Sequence, residues 1–404
     1  MDWRGRAEAR VEACPDGPLG VAVSGGGDSL ALLMALVDWA TPRGRTVHAT
    51  TVDHGLRPES AAEAAEVARI CAELGLSHRM LTWTERPEVG NLQAAAREAR
   101  YRLLANWARW EGLGVVFVGH TRNDLAETLL MRIARGSGLD GLAAMAPEFV
   151  RDGITFVRPL LHASRADLRE DLTARGIPWT DDPSNADLRF GRVRARQALE
   201  HLAPLGLTVE RLAETAERLA AAREALSRTT EDLMRRRVRW DAAGMVVLDT
   251  TGWRAVPEDL RFRLVKRVFA LFNCDGYAPR QQAVAEIDRL AGHGATHVAQ
   301  GVIARACADT LRFYREPAAG ADAAVSDGMC DMRWHIIGPP ARIGALGEAG
   351  LSGVDWRQTG FAREALLTTP ALHTAGAAPR SLLLAPPDGY SVSLRYSVPP
   401  PMTR

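Results

Sequence analysis

The residues best suited to chemistry stand in one short run near the start of the chain, Val21-Ala22-Val23-Ser24-Gly25-Gly26-Gly27-Asp28-Ser29-Leu30. An apolar, β-branched stretch enters a glycine-rich turn, and an apolar helical stretch begins directly after it. Glycines let backbone N–H groups converge on an anion, and a helix N-terminus adds its dipole. Ser24 and Ser29 offer hydroxyl donors beside them. No lysine follows the glycines, which excludes the G-x-x-x-x-G-K-[ST] loop, and the order is not G-x-G-x-x-G. A phosphate-bearing ligand suits this turn. The competing reading is a tight glycine turn with no ligand, which would not need two serines and a carboxylate.

Three further polar groups recur along the chain. Asp53-His54-Gly55-Leu56-Arg57 follows one apolar run, and Gly119-His120-Thr121-Arg122-Asn123-Asp124 follows another. Asp124 and Glu127 lie three apart, so on a helix they share a face and can point at one ligand. Taken singly, they also fit an acidic first helical turn favoured by the dipole. Gln93, Arg97 and Arg100-Tyr101 form the third group, with Arg97 and Arg100 on one helical face. Alone, these arginines read more readily as solvated surface than as function, and His120 equally well as structural.

The elements that must position these groups alternate. Strands are expected at Gly20–Val23, Val47–Val52, His78–Trp83, Val115–Val118 and Thr155–Val157. Amphipathic helices are expected between them at Ser29–Trp39, Ser60–Leu74, Asn91–Trp110 and Asp124–Ala134. Such alternation predicts an α/β fold, a doubly wound parallel sheet with helices on both faces. Ligands of open parallel sheets bind outside the carboxyl ends of the strands, where the polar groups fall.

Taken together, the segments identify a family. Ser24–Ser29 (SGGGDS) resembles the loop of the PP-loop ATP pyrophosphatase superfamily, whose members cleave ATP between the α- and β-phosphates. With Asp53–Arg57, Gln93–Tyr101, Gly119–Leu142, Arg158–Leu161 and Trp179–Arg192, the N-terminal half is similar to tRNA(Ile)-lysidine synthetases. The resemblance is close to about residue 200 and weak beyond. It departs at Arg192-Val193-Arg194-Ala195-Arg196, where the family usually has asparagine in place of Val193.

The resemblance implies an adenine nucleotide alpha-hydrolase-like catalytic domain and an ATP-dependent ligase. Such an enzyme joins lysine to C2 of the wobble cytidine of tRNA(Ile) with a CAU anticodon, through an adenylated cytidine. The product, lysidine, changes the codon and amino-acid identity of the tRNA from methionine to isoleucine. It further implies that Ser24, Gly25, Gly26, Gly27, Asp28, Ser29, Asp53 and His54 hold ATP, with Asp28 on Mg²⁺. A lone carboxylate beside phosphate oxygens makes chemical sense only with such a cation. Arg97, Arg100, His120, Asp124, Glu127, Arg192 and Arg196 are expected around lysine and tRNA. Asp28, Asp124, Glu127, Arg97 and Arg196 are the expected catalytic set. A PP-loop tRNA thiolase is the alternative, but it needs a catalytic thiol or an iron–sulfur cluster, and no cysteine lies in any motif.

Bulk properties bound the rest. The chain has 404 residues, enough for two or three domains, and five scattered cysteines with no C-x-x-C pair, which suits a reducing compartment. Met1–Arg10 is charged, without the apolar core of a signal peptide, and no stretch is long and apolar enough for a membrane span. A cytoplasmic location without membrane contact follows as the expectation. The net charge of +1 does not advertise a nucleic-acid partner, and Lys266 is the only lysine. Residues 1–205 are expected to be the PP-loop catalytic domain, 206–316 a mainly helical tRNA-binding domain, and 329–404 a small α+β tRNA-binding domain. Between the last two, Glu316–Gly328 reads as a linker rich in Ala and Gly. A long helix from Val209, a second at Asp259–Phe272, and strands at Met245–Leu248, Trp334–Ile337 and Ser391–Tyr396 complete the reading.

Overall fold

Four-residue runs without a polar side chain, buried along their whole length, mark the centre of the fold. Strands β1 (Leu19–Ala22) and β4 (Val115–Val118) are such runs, as expected for parallel strands covered on both faces. Around them, β2 (Val47–Asp53), β3 (Ser77–Thr82), β5 (Glu148–Arg151) and β6 (Ile154–Val157) complete a sheet of order β3-β2-β1-β4-β6-β5. All pairs are parallel except β5 with β6. That antiparallel edge strand escapes the sequence reading. It returns on β6 through Asp152-Gly153, both at positive φ (49° and 77°), the backbone of a two-residue hairpin turn.

The computed structural model describes residues 2–55, 60–84, 92–143, 145–180, 188–272, 279–320, 325–326, 329–330 and 333–394. They form two units, one running to Glu224 and one starting at Ala225.

In the first unit, α1 (Trp3–Glu12), α2 (Gly27–Ala40) and α7 (Arg165–Ala174) share one core with the sheet, through Leu30, Leu33, Leu36, Leu168 and Leu172. On a separate core, α4 (Leu92–Trp110) packs Leu104, Ala105, Trp107 and Ala108 against Val116, Val118 and Phe156. A helix on each side makes the sheet doubly wound. Helix α2 is apolar nearly all round because it is enclosed; a Leu→Ala change there would cost about 2–5 kcal/mol. Helix α3 (Ser60–Glu73) follows β2, and α5 (Arg122–Ile133) follows β4, with the one-turn α6 (Leu139–Leu142) after it. The back of α5, Leu125, Ala126 and Leu129, packs with Leu199 of α8 (Gly191–Leu202) and with Leu212, Ala213 and Ala216. Those last three lie in the first turns of α9 (Val209–Arg237). Neither α7 nor α8 was expected from the sequence.

The second unit adds, beside the helices expected in the middle region, a sheet of which the sequence reading had only the strand near Met245–Leu248. Five antiparallel strands lie between 238 and 315: Val238–Trp240, Val246–Asp249, Thr296–Ala299, Val302–Cys307 and Thr310–Arg315. The helices Glu258–Ala270 and Gln281–Leu290 share their core. The strand Val302–Cys307 (VIARAC) buries Val302, Ala304 and Ala306, and alanine is a poor strand former, so its alternation carries a weak signal. Part of the expected linker is ordered, with Pro317–Gly320 helical and Val325–Ser326 paired with Met329–Cys330. Trp334–Ile337 forms the expected strand and pairs with Ser391–Leu394; residues 395–396 of the second strand lie outside the described residues. Among the described residues no helix is long and apolar enough to cross a membrane.

Candidate active site

The strand order reverses between β1 and β4, and the chain segments leaving these two strands meet there. After β1, the Val23 N–H donates to Thr50 O (2.8 Å), and Gly25 turns the chain at φ +84°, a value that favours glycine. Gly26 then caps α2 with no side-chain hydrogen bond; the Ser29 N–H donates to Gly26 O (3.1 Å), and the Gly27 and Asp28 N–H groups ahead of it have no side-chain cap. Ser29 serves the loop itself: its hydroxyl donates to Gly26 O (2.9 Å) and accepts from the Ser24 N–H (3.0 Å). On the β4 side, a Cβ on Gly119 would stand 3.1 Å from the Asp28 carbonyl and from Ser29 Cα. Only glycine lets the two segments approach so closely.

A cavity of about 680 Å³ opens at this point. Its wall includes Ser24, Gly26, Gly27, Asp28 and Ser29 of the loop, and His120, Asp124, Arg100, Arg192 and Arg196. Glu63, Arg165, Arg169 and Thr180 also line it. Thr180 is tied to the loop by its N–H, which donates to Gly25 O (3.1 Å).

Carboxylates and guanidinium groups converge beside the loop. Thr121 caps α5 in a capping box, its N–H and hydroxyl donating to Asp124 Oδ2 (2.9 and 3.0 Å). That leaves Asp124 Oδ1 turned to the arginines. Arg165, the first residue of α7, reaches three carboxylates with three different nitrogens. Nε donates to Asp28 Oδ2 (3.1 Å), Nη2 to Asp124 Oδ1 (3.0 Å) and Nη1 to Glu127 Oε1 (2.7 Å). Arg196 Nε donates to the same Oε1 (3.0 Å), and Arg192 Nη1 stands 3.5 Å from Asp124 Oδ1. Glu127 is 1% exposed, and its Oε2 is buried without a hydrogen-bond partner among the described residues.

The electrostatics divide the acids. Burial pushes the Asp28 carboxyl above its ordinary range; Arg165 offsets part of this, and the nearby Asp124 charge adds to it. Asp124 is buried too, but Arg165, His120, Arg192 and the Thr121 N–H outweigh burial and hold it below that range. Burial drives the His120 imidazole well below its usual value, so the ring is neutral at neutral pH, with Nδ1 buried and unpartnered among the described residues. The guanidinium of Arg165 is held more firmly protonated by its three acids, against the cost of its burial.

Known proteins resemble this chain in sequence. Residues 6–202 match the family model described as PP-loop domain. A tRNA(Ile)-lysidine synthase of Ruegeria pomeroyi is 43% identical over 378 residues, covering 92% of this chain and 90% of the relative. The chain belongs to the tRNA(Ile)-lysidine synthase family. A second such synthase, of Bradyrhizobium diazoefficiens, is 41% identical over 83% of this chain and 92% of its own length. Among solved structures, a U34-tRNA thiolase of Methanococcus maripaludis with a [4Fe-4S] cluster aligns with a TM-score of 0.48 and 14% identity, over 54% of this chain and 78% of that one.

The cavity wall takes in most of the expected family residues but not all. Arg97 is exposed and lies over the Tyr101 ring, 5.3 Å from its centre. Asp53 accepts from the Gly55 N–H (2.7 Å), and His54 meets the edge of Trp83, so neither reaches the wall. Gly25 and Glu127 act from behind the wall, the first through its turn and the second through Arg165 and Arg196. Arg57, residues 181–187 and the Gln93 side chain lie outside the described residues. Arg165 is the residue that sequence reasoning missed. Its signal was Ser164-Arg165-Ala166-Asp167, a capping box that opens α7 five residues after Pro159. No described cysteine lines the cavity; Cys71 is buried in α3 with its thiol pushed up to about 11.

Proposed function

We propose that this cavity carries out both half-reactions of lysidine formation, ATP being bound at the loop and lysine at Asp124 and Glu127. The observation that carries the reading is the pairing of a helix N-terminus without a side-chain cap, on the cavity wall, with a buried acid just behind that wall, one of whose oxygens has no hydrogen-bond partner among the described residues. The first suits phosphate and the second a cationic amine.

In the first step the C2 oxygen of cytidine attacks the α-phosphorus of ATP. The bond to the pyrophosphate oxygen breaks, and C2 then bears a good leaving group. The α2 N-terminus and the loop amides meet the charge that builds on the departing pyrophosphate. Mg²⁺ would share that charge. Asp28 is the carboxylate that would hold it in this reading, and since Mg²⁺ binds through one or two carboxylates plus phosphates, no ready-made cage of acids is needed. In the second step the lysine ε-amine, pKa about 10.4 in water, gives up a proton and attacks C2, and AMP leaves. Asp124 or Glu127 receives that proton in this reading, and Arg192 and Arg196 offset phosphate charge. Because three substrates must meet, positioning supplies much of the rate.

Residues beyond 205 are proposed to contact tRNA outside the anticodon. A pocket that reads one cytosine cannot separate isoleucine from methionine tRNAs with the same CAU anticodon. The function is tested by mass spectrometry of nucleosides from tRNA(Ile) incubated with ATP and lysine. The expected product has the mass of cytidine plus lysine minus water. A sulfur-for-oxygen exchange would instead favour the thiolase, and unmodified cytidine would refute both.

A further inference from the structure

Asp28, Asp124 and Glu127 face three guanidinium groups, those of Arg165, Arg192 and Arg196. Three negative charges meet three positive ones in this ion-paired set, and Arg100 and Arg169 stand on the same cavity wall against Glu63, so the site has no negative charge to spare before any substrate arrives. Adding a lysine ammonium to it is unfavourable unless one guanidinium withdraws. Arg165 is the one that sits on both lysine-side acids at once, at 3.0 and 2.7 Å. It is also the one in contact with the phosphate side, through Asp28 at 3.1 Å. Arg192 and Arg196 each touch a single acid of the three.

We propose that Arg165 is a positioning residue that occupies the lysine site of the free enzyme and yields it when nucleotide binds, so that ATP opens the site for lysine. This rests on the reading that Asp124 and Glu127 hold lysine. The triphosphate brings new oxygens to the Asp28 side of the guanidinium, and guanidinium pairs bidentately with phosphate. As Arg165 turns toward them, Asp124 Oδ1 and Glu127 Oε1 lose a partner, while Glu127 Oε2 has none among the described residues to begin with. An ammonium with three donors fits that set.

The backbone of Arg165 need not move. Its N–H donates to Asn123 Oδ1 (3.1 Å), and the Arg122 N–H donates to Ala163 O (2.9 Å). These two bonds lock the start of α7 to the start of α5, the helix that carries both lysine-side acids. Only the side chain, 22% exposed, has to swing. The consequence is ordered use of substrates: lysine does not settle in the site before ATP is there.

The test is lysine affinity by calorimetry on the full chain, with and without α,β-methylene-ATP and magnesium. In the unaltered protein the analogue should tighten lysine binding by about tenfold or more, within the usual range of coupling between sites. By reciprocity, lysine should tighten analogue binding by the same factor. Arg165→Met should bind lysine without the analogue about as tightly as the unaltered protein does with it, and the coupling should vanish. Arg165→Lys, which keeps a charge but offers one point donor, should show reduced coupling. Circular dichroism and melting report whether each variant folds, and the unaltered protein alone decides if neither does. Equal lysine affinity with and without the analogue, absence of lysine binding when the analogue is present, or full coupling in Arg165→Met would overturn the proposal. Glu127→Gln separates the two ideas. If it leaves lysine affinity unchanged in both conditions, the assignment of the lysine site fails; if it abolishes binding while the unaltered protein shows no coupling, only the role of Arg165 fails.

Discussion

Each unit buries an aspartate among arginines, and the two clusters are built to opposite ends. In the second unit, Asp288 is saturated. Its Oδ1 accepts from Trp253 Nε1 and Arg261 Nε (both 2.8 Å), and its Oδ2 from Arg254 Nη1 (3.0 Å) and Arg261 Nη2 (3.2 Å). Burial alone would raise this carboxyl, but the Arg261 and Trp253 hydrogen bonds with the Arg261 and Arg254 charges hold it below its ordinary range. In the first unit, Asp28 is pushed the other way, Glu127 keeps a buried oxygen without a partner among the described residues, and the cluster opens on a cavity. A closed network lowers the energy of the charged fold. An open one holds charge at some cost and recovers that cost when a ligand arrives.

The largest effect that can break this comparison is on chemistry. Asp28→Asn should slow pyrophosphate release with tRNA about a hundredfold or more, the scale seen when a charge-stabilising group is removed. Asp288→Asn should leave the rate per folded molecule unchanged. Similar losses in both variants, measured by a coupled pyrophosphate assay at saturating magnesium, would mean that the two clusters are not different in kind.

Stability should rank them the other way. Asp288→Asn leaves Arg261 buried beside a neutral amide, and breaking such a pair costs about 3 kcal/mol or more. For a unit of this size that corresponds to a melting temperature lower by roughly 6–12 °C. A melting curve for Asp288→Asn that overlays the unaltered protein would show that its four hydrogen bonds contribute little.

A smaller effect sharpens the division within the open cluster. Glu127→Gln keeps the shape but removes the charge, so the KM for lysine should rise by about tenfold, or 1.4 kcal/mol. Pyrophosphate release in the absence of lysine should change much less. If KM stays put and adenylation falls, Glu127 serves the nucleotide half of the site.

How much of this was legible in the sequence follows the reach of each interaction. β1, β4 and the glycine turn are local: an apolar run, a positive-φ glycine and a helix start lie within a dozen residues, and all were readable. Asp124 and Glu127 were readable as a pair because helical spacing puts them on one face. Arg165 was not, because what makes it special is three partners 137, 41 and 38 residues away along the chain. Arg97 lies off the cavity wall for the converse reason. It shares a helical face with Arg100, but exposure and the Tyr101 ring claim it instead. Of the five strands between 238 and 315 only Val246–Asp249 was read, one residue out, at Met245–Leu248; the other four were missed because pairing across the sheet holds them in place.

The smallest effect tests the electrostatic sign directly. For Asp288 the folded pKa lies below the ordinary 3.8, so the folded state binds its proton less readily than the unfolded chain does. Its contribution to stability is therefore complete above that value and is lost as pH falls through the folded pKa. For Asp28 the folded pKa lies above 3.8, so the charged group costs stability at neutral pH, and the cost is relieved as pH falls through the raised value. Asp28→Asn removes that cost but also weakens one of the three anchors of Arg165, so the net gain at pH 7 should be small, a melting temperature equal to or about 1–3 °C above the unaltered protein. On lowering the pH toward 4 this difference should shrink. The deficit of Asp288→Asn should persist to pH 4 and close only below it. Melting curves of the three proteins at matched ionic strength across this range decide the point. A stability gap for Asp28→Asn that is unfavourable at pH 7 and closes toward pH 4 would mean that the charge of Asp28 stabilises the fold, and that the open cluster is a structural one like the other.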